Sequence, residues 1–265
     1  MRVGLVQMAA GEDKAANLTS VVDGIARLAA AGADLVVAPE AAMHGFGSPD
    51  FPLAPVAEPL DGPFVTGLQE AARAHGVSVV AGMFEPVEGD ASRAYNTVVA
   101  VGPDGSLLGR YRKQHLFDAL GWMESKRLEP GSPEDRLVIT VGDFTVGVLT
   151  CYDLRFPELA RALADDGATL LAVPSAWVAG PLKEDQWTTL VRSRAIENVL
   201  YVAATDQPAP TYAGRAMVVD PFGVVLSSLG ESPGVTTADL EIARVESCRA
   251  KMPSLSHRRW SVVPR

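Results

Sequence analysis

The sequence predicts an α/β fold: two sheets, helices on their outer faces, and an internal pseudo-twofold repeat. Three observations carry this. The order strand, helix, strand, helix, strand, hairpin occurs twice along the chain. Two short continuous apolar runs, residues 34–38 and 169–173, stop at Pro39-Glu40 and Pro174-Ser175. Such runs mark strands buried on both faces. Finally, Cys151 stands where a β-branched strand pattern gives way to a helix that carries proline in its first turn.

In order, residues 3–8 are a first strand. Residues 15–31 form a helix, with Leu18, Val21, Val22, Ile25, Leu28 and Ala29 at helical spacing and Gly32 as its stop. After the strand at 34–38, residues 41–63 hold several prolines and glycines and read as a long loop, a kind usually kept for function. A helix at 64–75 and a strand at 77–83 follow. Residues 95–101 and 106–111 form a hairpin around Gly102-Pro-Asp-Gly105. Residues 116–131 are irregular. The second half gives strand 144–150, helix 157–165, strand 169–173, helix 184–198 and strand 200–204. A second hairpin joins 217–220 to 224–229 through Asp220-Pro-Phe-Gly223. No linker separates the halves, so one domain over 1–265 is expected. Residues 240–265 are less apolar and more charged, and are expected to be a tail packed on a neighbouring subunit.

Composition narrows the function. A chain of 265 residues that is 48% hydrophobic builds a sizeable core. A formal net charge of −9 argues against nucleic acid or an anionic membrane as partner. The first residues read as a strand rather than a signal peptide, and no apolar run approaches the ~20 residues of a membrane span. With Cys151 and Cys248 as the only cysteines, a disulfide framework is not expected and a cytoplasmic location is. His44, His75, His115 and His257 lack metal-ligand spacing, so neither metal nor cofactor is expected.

Active sites of open α/β sheets collect at the carboxyl ends of strands. Glu40 and Cys151 both stand at such ends, and Lys113 closely follows one. A cysteine at a strand-to-helix turn projects its thiol, and the N–H groups beyond it can hold an oxyanion. Taken singly, each residue has a plainer reading. Cys151 is then a small buried hydrophobe, Glu40 a surface residue of a Pro-Glu turn, and Lys113 a solvated lysine in Arg110-Tyr-Arg-Lys-Gln-His115.

Three stretches change that balance: Pro39-Glu40, Arg112-Lys113-Gln-His-Leu-Phe-Asp118 and Cys151-Tyr-Asp-Leu-Arg-Phe-Pro-Glu158. In this order and spacing the chain resembles the nitrilase superfamily of carbon–nitrogen hydrolases over nearly its whole length, closest to the omega-amidase branch. The resemblance implies a four-layer α-β-β-α sandwich, in agreement with the double repeat. It implies a catalytic set of Glu40, Lys113 and Cys151, with Glu124 as a second carboxylate and the Tyr152 N–H beside the oxyanion. The loop from 115 to 124 is shorter than in omega-amidases and lacks their Pro-Gly. The implied reaction is hydrolysis of a small linear amide through a cysteine thioester. Nitrile and N-carbamoyl amino acid hydrolysis would use the same residues, and a silent binding protein would merely keep the fold.

Two further residues are expected in the pocket. Arg155, four residues after the cysteine, is expected to meet a substrate carboxylate, as arginines at this position do in relatives that cleave carbamoyl amino acids. Trp177 is expected to wall the pocket. The resemblance also implies a homodimer or larger even-numbered assembly, paired through helices 157–165 and 184–198. The second helix carries Trp187, Leu190, Val191 and Ile196, more than one core-facing stripe requires.

Overall fold

The computed structural model describes residues 1–264. The chain runs β1 (Arg2–Gln7), α1 (Lys14–Ala30), β2 (Leu35–Val37), α2 (Pro63–His75), β3 (Ser78–Val87), β4 (Asp90–Val101), β5 (Leu107–Arg112) and β6 (Leu128–Glu129). The second half runs β7 (Leu137–Val141), β8 (Phe144–Val148), α3 (Pro157–Asp165), β9 (Leu170–Pro174), α4 (Lys183–Asn198), β10 (Tyr201–Thr205), β11 (Met217–Val219) and β12 (Val225–Ser228). It closes with β13 (Gly234–Asp239) and α5 (Ile242–Lys251).

One sheet has the order β13-β1-β2-β3-β4-β5, with β6 paired to β4; the other has the order β12-β11-β10-β9-β8-β7. In each sheet three central strands are parallel: β1, β2 and β3 in the first, β8, β9 and β10 in the second. Each triplet continues into two antiparallel strands on one side and is closed by one antiparallel strand on the other. The pseudo-twofold is therefore complete, and β13 supplies to the first sheet what β7 supplies to the second.

The central strands are buried on both faces, and the period of two assigns their residues. Leu35 and Val37 join the core between the sheets with Val3, Leu5, Val146 and Val148. Val36 joins the outer core with Val21, Ile25 and Leu28 of α1 and Phe64 and Leu68 of α2. The layers are thus α1 and α2, sheet, sheet, α3 and α4. No helix among the described residues is long and apolar enough to cross a membrane.

Three expectations need correction. Strands β7 and β13 were not anticipated. β13 reads Gly-Val-Thr-Thr-Ala-Asp, a half-buried edge strand with little apolar alternation. Residues 240–265 are not simply a tail reaching outward: α5 buries Val245 and Cys248 on the chain's own core. Arg249 in this helix donates to the carbonyls of Val199 (3.1 Å) and Ala168 (2.8 Å). Trp187 and Val191 of α4 are fully buried within the chain and Leu190 packs half-buried against its core, so only Ile196 is exposed there.

Candidate active site

Glu40 lies just past β2, and its carboxylate is only 1% exposed. The chain reverses at Ala41, whose φ of 54° is left-handed. This turn lies against β3 at Gly82. A Cβ there would sit 2.6 Å from both the Glu40 Cα and the Ala41 nitrogen, so only glycine fits. Three donors fix the Glu40 carboxylate. Asn96 Nδ2 (2.7 Å) and Lys113 Nζ (2.9 Å) reach Oε1, and the Ala176 N–H reaches Oε2 (2.7 Å).

Lys113 follows β5 directly and is 1% exposed. Its N–H donates to the Asn96 carbonyl and its own carbonyl accepts from Gly131 N–H, each at 2.8 Å. Besides Glu40, Nζ donates to both oxygens of Glu124, at 3.1 and 2.9 Å. Glu124 opens a short 3₁₀ turn, and its Oε2 also accepts the Phe117 N–H at 2.8 Å. Burial alone would push the Lys113 ammonium down; Glu124 and Glu40 outweigh it and hold its pKa well above the usual lysine value. Burial raises Glu124, Lys113 pulls it back, and Glu40 adds to the rise.

Cys151 opens a five-residue 3₁₀ turn, Cys151–Arg155, with a left-handed φ of 46°. The sequence anticipates a turn followed by a helix; this complete 3₁₀ segment stands between β8 and α3. Thr150 and Asp153 form a reciprocal capping box at its start. Asp153 ties the turn to the rest of the site. Its Oδ2 accepts from Tyr111 OH (2.7 Å) and Thr150 N–H (3.0 Å), and its Oδ1 meets the His115 N–H and Nδ1. His115 is thus committed to Asp153 and stacks on Phe156, with ring centroids 3.7 Å apart. The thiol is 7% exposed. Burial and then the Glu40 charge push its pKa well above the usual thiol value; Lys113 offsets this only in part.

Cys151 and Glu124 lie in the wall of a small cavity. Tyr152 and Trp177 line it as well, with Phe46, Phe117, Trp122 and Tyr212. Arg155 does not. Its guanidinium lies 4.8 Å from the Trp177 ring centroid and donates to Gln186 Oε1 at 2.6 Å. It pairs with neither Asp153 nor Glu158. The reason is the local helix type. In an α-helix, residue i+4 returns to the face of residue i, but at three residues per turn it points about 120° away.

Residues absent from the sequence reading complete the site. Asn96 sits in β4 beside Thr97, just before the apolar stretch 98–101, and is buried with it. Ala176 contributes only its backbone. Asp206, just beyond β10, is fully buried; its Oδ1 accepts from the N–H groups of Trp177 (2.7 Å) and Gln207 (2.8 Å) and so fixes the Trp177 wall. Lys183 lines the cavity from the first turn of α4, although Lys-Glu-Asp-Gln reads as a solvated helix start.

A four-layer sandwich with a thiol, two carboxylates and an ammonium gathered at the strand ends has the equipment of a cysteine-dependent hydrolase. Residues 2–250 match the carbon–nitrogen hydrolase family, and the chain belongs to it. Hydrolase Rv0480c of Mycobacterium tuberculosis is 41% identical over 271 residues, 96% of this chain and 94% of its own. The deaminated glutathione amidase of Escherichia coli O157:H7 is 37% identical over 205 residues, 77% of each chain. Omega-amidase NIT2 of Homo sapiens is 34% identical over 270 residues, 97% of this chain and 95% of its own. Among solved structures, a glutamate-to-glutamine mutant of the amidase from Nesterenkonia sp. AN1 superimposes with a TM-score of 0.84 at 28% identity, over 98% of this chain and 94% of that one. That structure shows covalent addition of the acetamide moiety of fluoroacetamide at the active-site cysteine.

Proposed function

We propose that this carbon–nitrogen hydrolase is an amidase that cleaves a small linear amide through a thioester on Cys151. The observation that carries the reading is the buried cluster in which Lys113 Nζ bridges Glu40 and Glu124 beside the Cys151 thiol. An amide is a weak electrophile with a poor leaving group, so the reaction needs a strong nucleophile and one group that first takes and then gives a proton. Glu40 takes the thiol proton as Sγ bonds to the amide carbon, and the carbonyl electron pair moves to oxygen. Lys113, held cationic by its two carboxylates, and the Tyr152 N–H stabilise that oxyanion. Tyr152 is second in the 3₁₀ turn, where its N–H has no partner within the turn. Collapse breaks the C–N bond, and the nitrogen takes the proton from Glu40 and leaves as ammonia or an amine. Water then gives a proton to Glu40 and its hydroxyl to the thioester carbon. The second collapse breaks the C–S bond, returns the proton to sulfur and releases the carboxylic acid. Glu124 holds Lys113 in place and contributes negative charge that keeps it protonated.

The cavity is closed in by the aromatic walls of Phe46, Phe117, Trp122, Trp177 and Tyr212 and leaves little free room, which favours a small substrate. The test is ammonia release across small primary amides, ω-amides of keto acids, carbamoyl amino acids and nitriles. Turnover of amides above the other classes is expected. Turnover of nitriles or carbamoyl compounds alone would reject the amidase reading. No turnover of any class, together with a Cys151 inert to iodoacetamide, would favour a silent binding protein.

A further inference from the structure

The mechanism gives the amide oxygen two partners, Lys113 and the Tyr152 N–H. It gives the scissile nitrogen a proton from Glu40, but no acceptor for the N–H groups that the nitrogen carries. Phe46, Phe117, Trp122, Trp177 and Val178 of the cavity wall offer none from their side chains. Glu124 is already occupied by Lys113 and the Phe117 N–H. An N–H taken out of water without a partner is costly, so the site needs an acceptor close to Glu40.

Tyr212 lines the same cavity and is 9% exposed. Its hydroxyl meets no hydrogen-bond partner among the described residues and is not sealed in protein, so it opens on the cavity. The backbone that carries it is fixed to the groups that hold Glu40. Tyr212 pairs with Val178 in an antiparallel bridge. On either side, Ala213 N–H donates to the Trp177 carbonyl (2.8 Å) and Ala179 N–H to that of Thr211 (3.0 Å). The residue before Trp177 is Ala176, whose N–H holds Glu40 Oε2. Gly214 N–H donates to the Gln207 carbonyl, and Gln207 Nε2 donates to the Glu40 carbonyl, each at 3.0 Å. Tyr212 also packs in one cluster with Ala41, Ala42 and Phe46, which follow Glu40 in the chain. Burial, and then the negative charges of Glu40 and Cys151, raise its pKa above the ordinary phenol value. The hydroxyl therefore stays neutral at working pH, and its oxygen is free to accept. The other phenol in the wall, Tyr152, is only half-buried, and its ring packs edge-on against Phe117 and Phe156.

We propose that Tyr212 is a further substrate-contacting residue, whose hydroxyl oxygen accepts one N–H of the scissile amide and fixes the rotation of that nitrogen. The proposal rests on the amidase reading and deepens it by naming the substrate as a primary amide and the leaving group as ammonia. In the tetrahedral intermediate this hydrogen bond turns the nitrogen lone pair toward Glu40, which delivers the proton before the C–N bond breaks. The phenol gives up no proton, and no bond to it forms or breaks.

The test compares propionamide with methyl propionate for the wild type, Tyr212→Phe and Tyr152→Phe. Both compounds give the same acyl-enzyme, but the ester brings no N–H to the leaving position. In Tyr212→Phe the amide-to-ester ratio of kcat/KM is expected to fall by about threefold to tenfold, the worth of one neutral hydrogen bond. A merely structural role would lower both values together and leave the ratio unchanged, which would overturn the proposal. A ratio that falls in Tyr152→Phe and not in Tyr212→Phe would overturn it as well.

A second measurement needs no turnover. Cys151→Ala keeps the cavity and removes the nucleophile. Its affinity for propionamide is read from tryptophan fluorescence, to which Trp122 and Trp177 of the cavity wall contribute. Adding Tyr212→Phe is expected to weaken that affinity by about threefold to tenfold. Equal affinity in the two proteins counts against the proposal. Cleavage of propionamide by the wild type with a ratio insensitive to Tyr212→Phe would keep the amidase reading and reject the role of Tyr212. Weaker binding by the double variant with no cleavage by the wild type would support the site and reject the amidase reading.

Discussion

The Ala176 N–H donates to Glu40 Oε2 across 2.7 Å, joining residues 136 positions apart in the chain. Glu40 follows β2 and Ala176 follows β9, the middle strands of the two parallel triplets. The bond therefore links equivalent ends of the two halves at the centre of the molecule. The pseudo-twofold brings the site together there: one half supplies Glu40, Lys113 and Glu124, and the other supplies Cys151 and the Ala176 amide.

Gly82 is the support on which the Glu40 turn rests. In Gly82→Ala the new methyl would meet the Glu40 Cα and the Ala41 nitrogen, both backbone and both at 2.6 Å. Overpacking of this kind costs about 1–3 kcal/mol. The variant is expected to fold with a lower Tm and to lose most of its activity, because Glu40 must shift. A Tm and kcat equal to the wild type would show that the turn tolerates displacement.

Glu124→Gln leaves Lys113 with Glu40 as its single carboxylate. Breaking a buried ion pair costs about 3 kcal/mol or more, and misplacing an oxyanion stabiliser costs roughly a hundredfold in kcat. Removing a negative charge also lowers the Lys113 pKa, so the alkaline limb of the kcat profile should move to lower pH. Thermal denaturation and the pH profile of the variant check both effects.

The raised pKa of Cys151 has a definite sign. Burial and Glu40 favour the neutral thiol, so the free enzyme carries little thiolate at neutral pH and relies on Glu40 for deprotonation. Alkylation by iodoacetamide should rise steadily with pH and pass the ordinary thiol value near ~8.5 without a plateau. A plateau below about pH 8 would instead indicate a preformed thiolate paired with Lys113.

Much of this site is legible in the letters because Glu40 and Cys151 end apolar strands and Lys113 follows one. Their exposure is the opposite of what an isolated turn or basic run suggests, and only the meeting of the two sheets makes that visible. Asn96 and Lys183 stay hidden because each looks ordinary in its own element, one a polar interruption of β4 and the other a charged helix start. Arg155 was expected in the pocket from the resemblance to relatives in which an arginine at this position meets the substrate carboxylate. The 3₁₀ geometry of Cys151–Arg155 points it elsewhere. β13 was missed because a Thr-rich edge strand has no apolar run to betray it, although its pairing with β1 completes the repeat.

Asp206 links the site to stability. Burial raises its pKa well above the ordinary aspartate value, and its Oδ2 has no partner. The folded state therefore binds this proton more tightly than the unfolded state does. Its contribution is fully present below the unfolded pKa and is lost as pH rises through the folded value. Asp206→Asn keeps an acceptor for the Trp177 and Gln207 amides and removes the titration. The Tm of the variant minus that of the wild type is expected to increase as pH rises; a difference independent of pH would contradict this.

The most direct test of the account is intact and peptide mass spectrometry of the enzyme quenched during turnover of a small primary amide. The expected result is an acyl adduct on the peptide that contains Cys151, convertible to the hydroxamate by hydroxylamine, present in Cys248→Ala and absent in Cys151→Ala. Turnover that survives in Cys151→Ala, or an adduct on Cys248 instead, would contradict it.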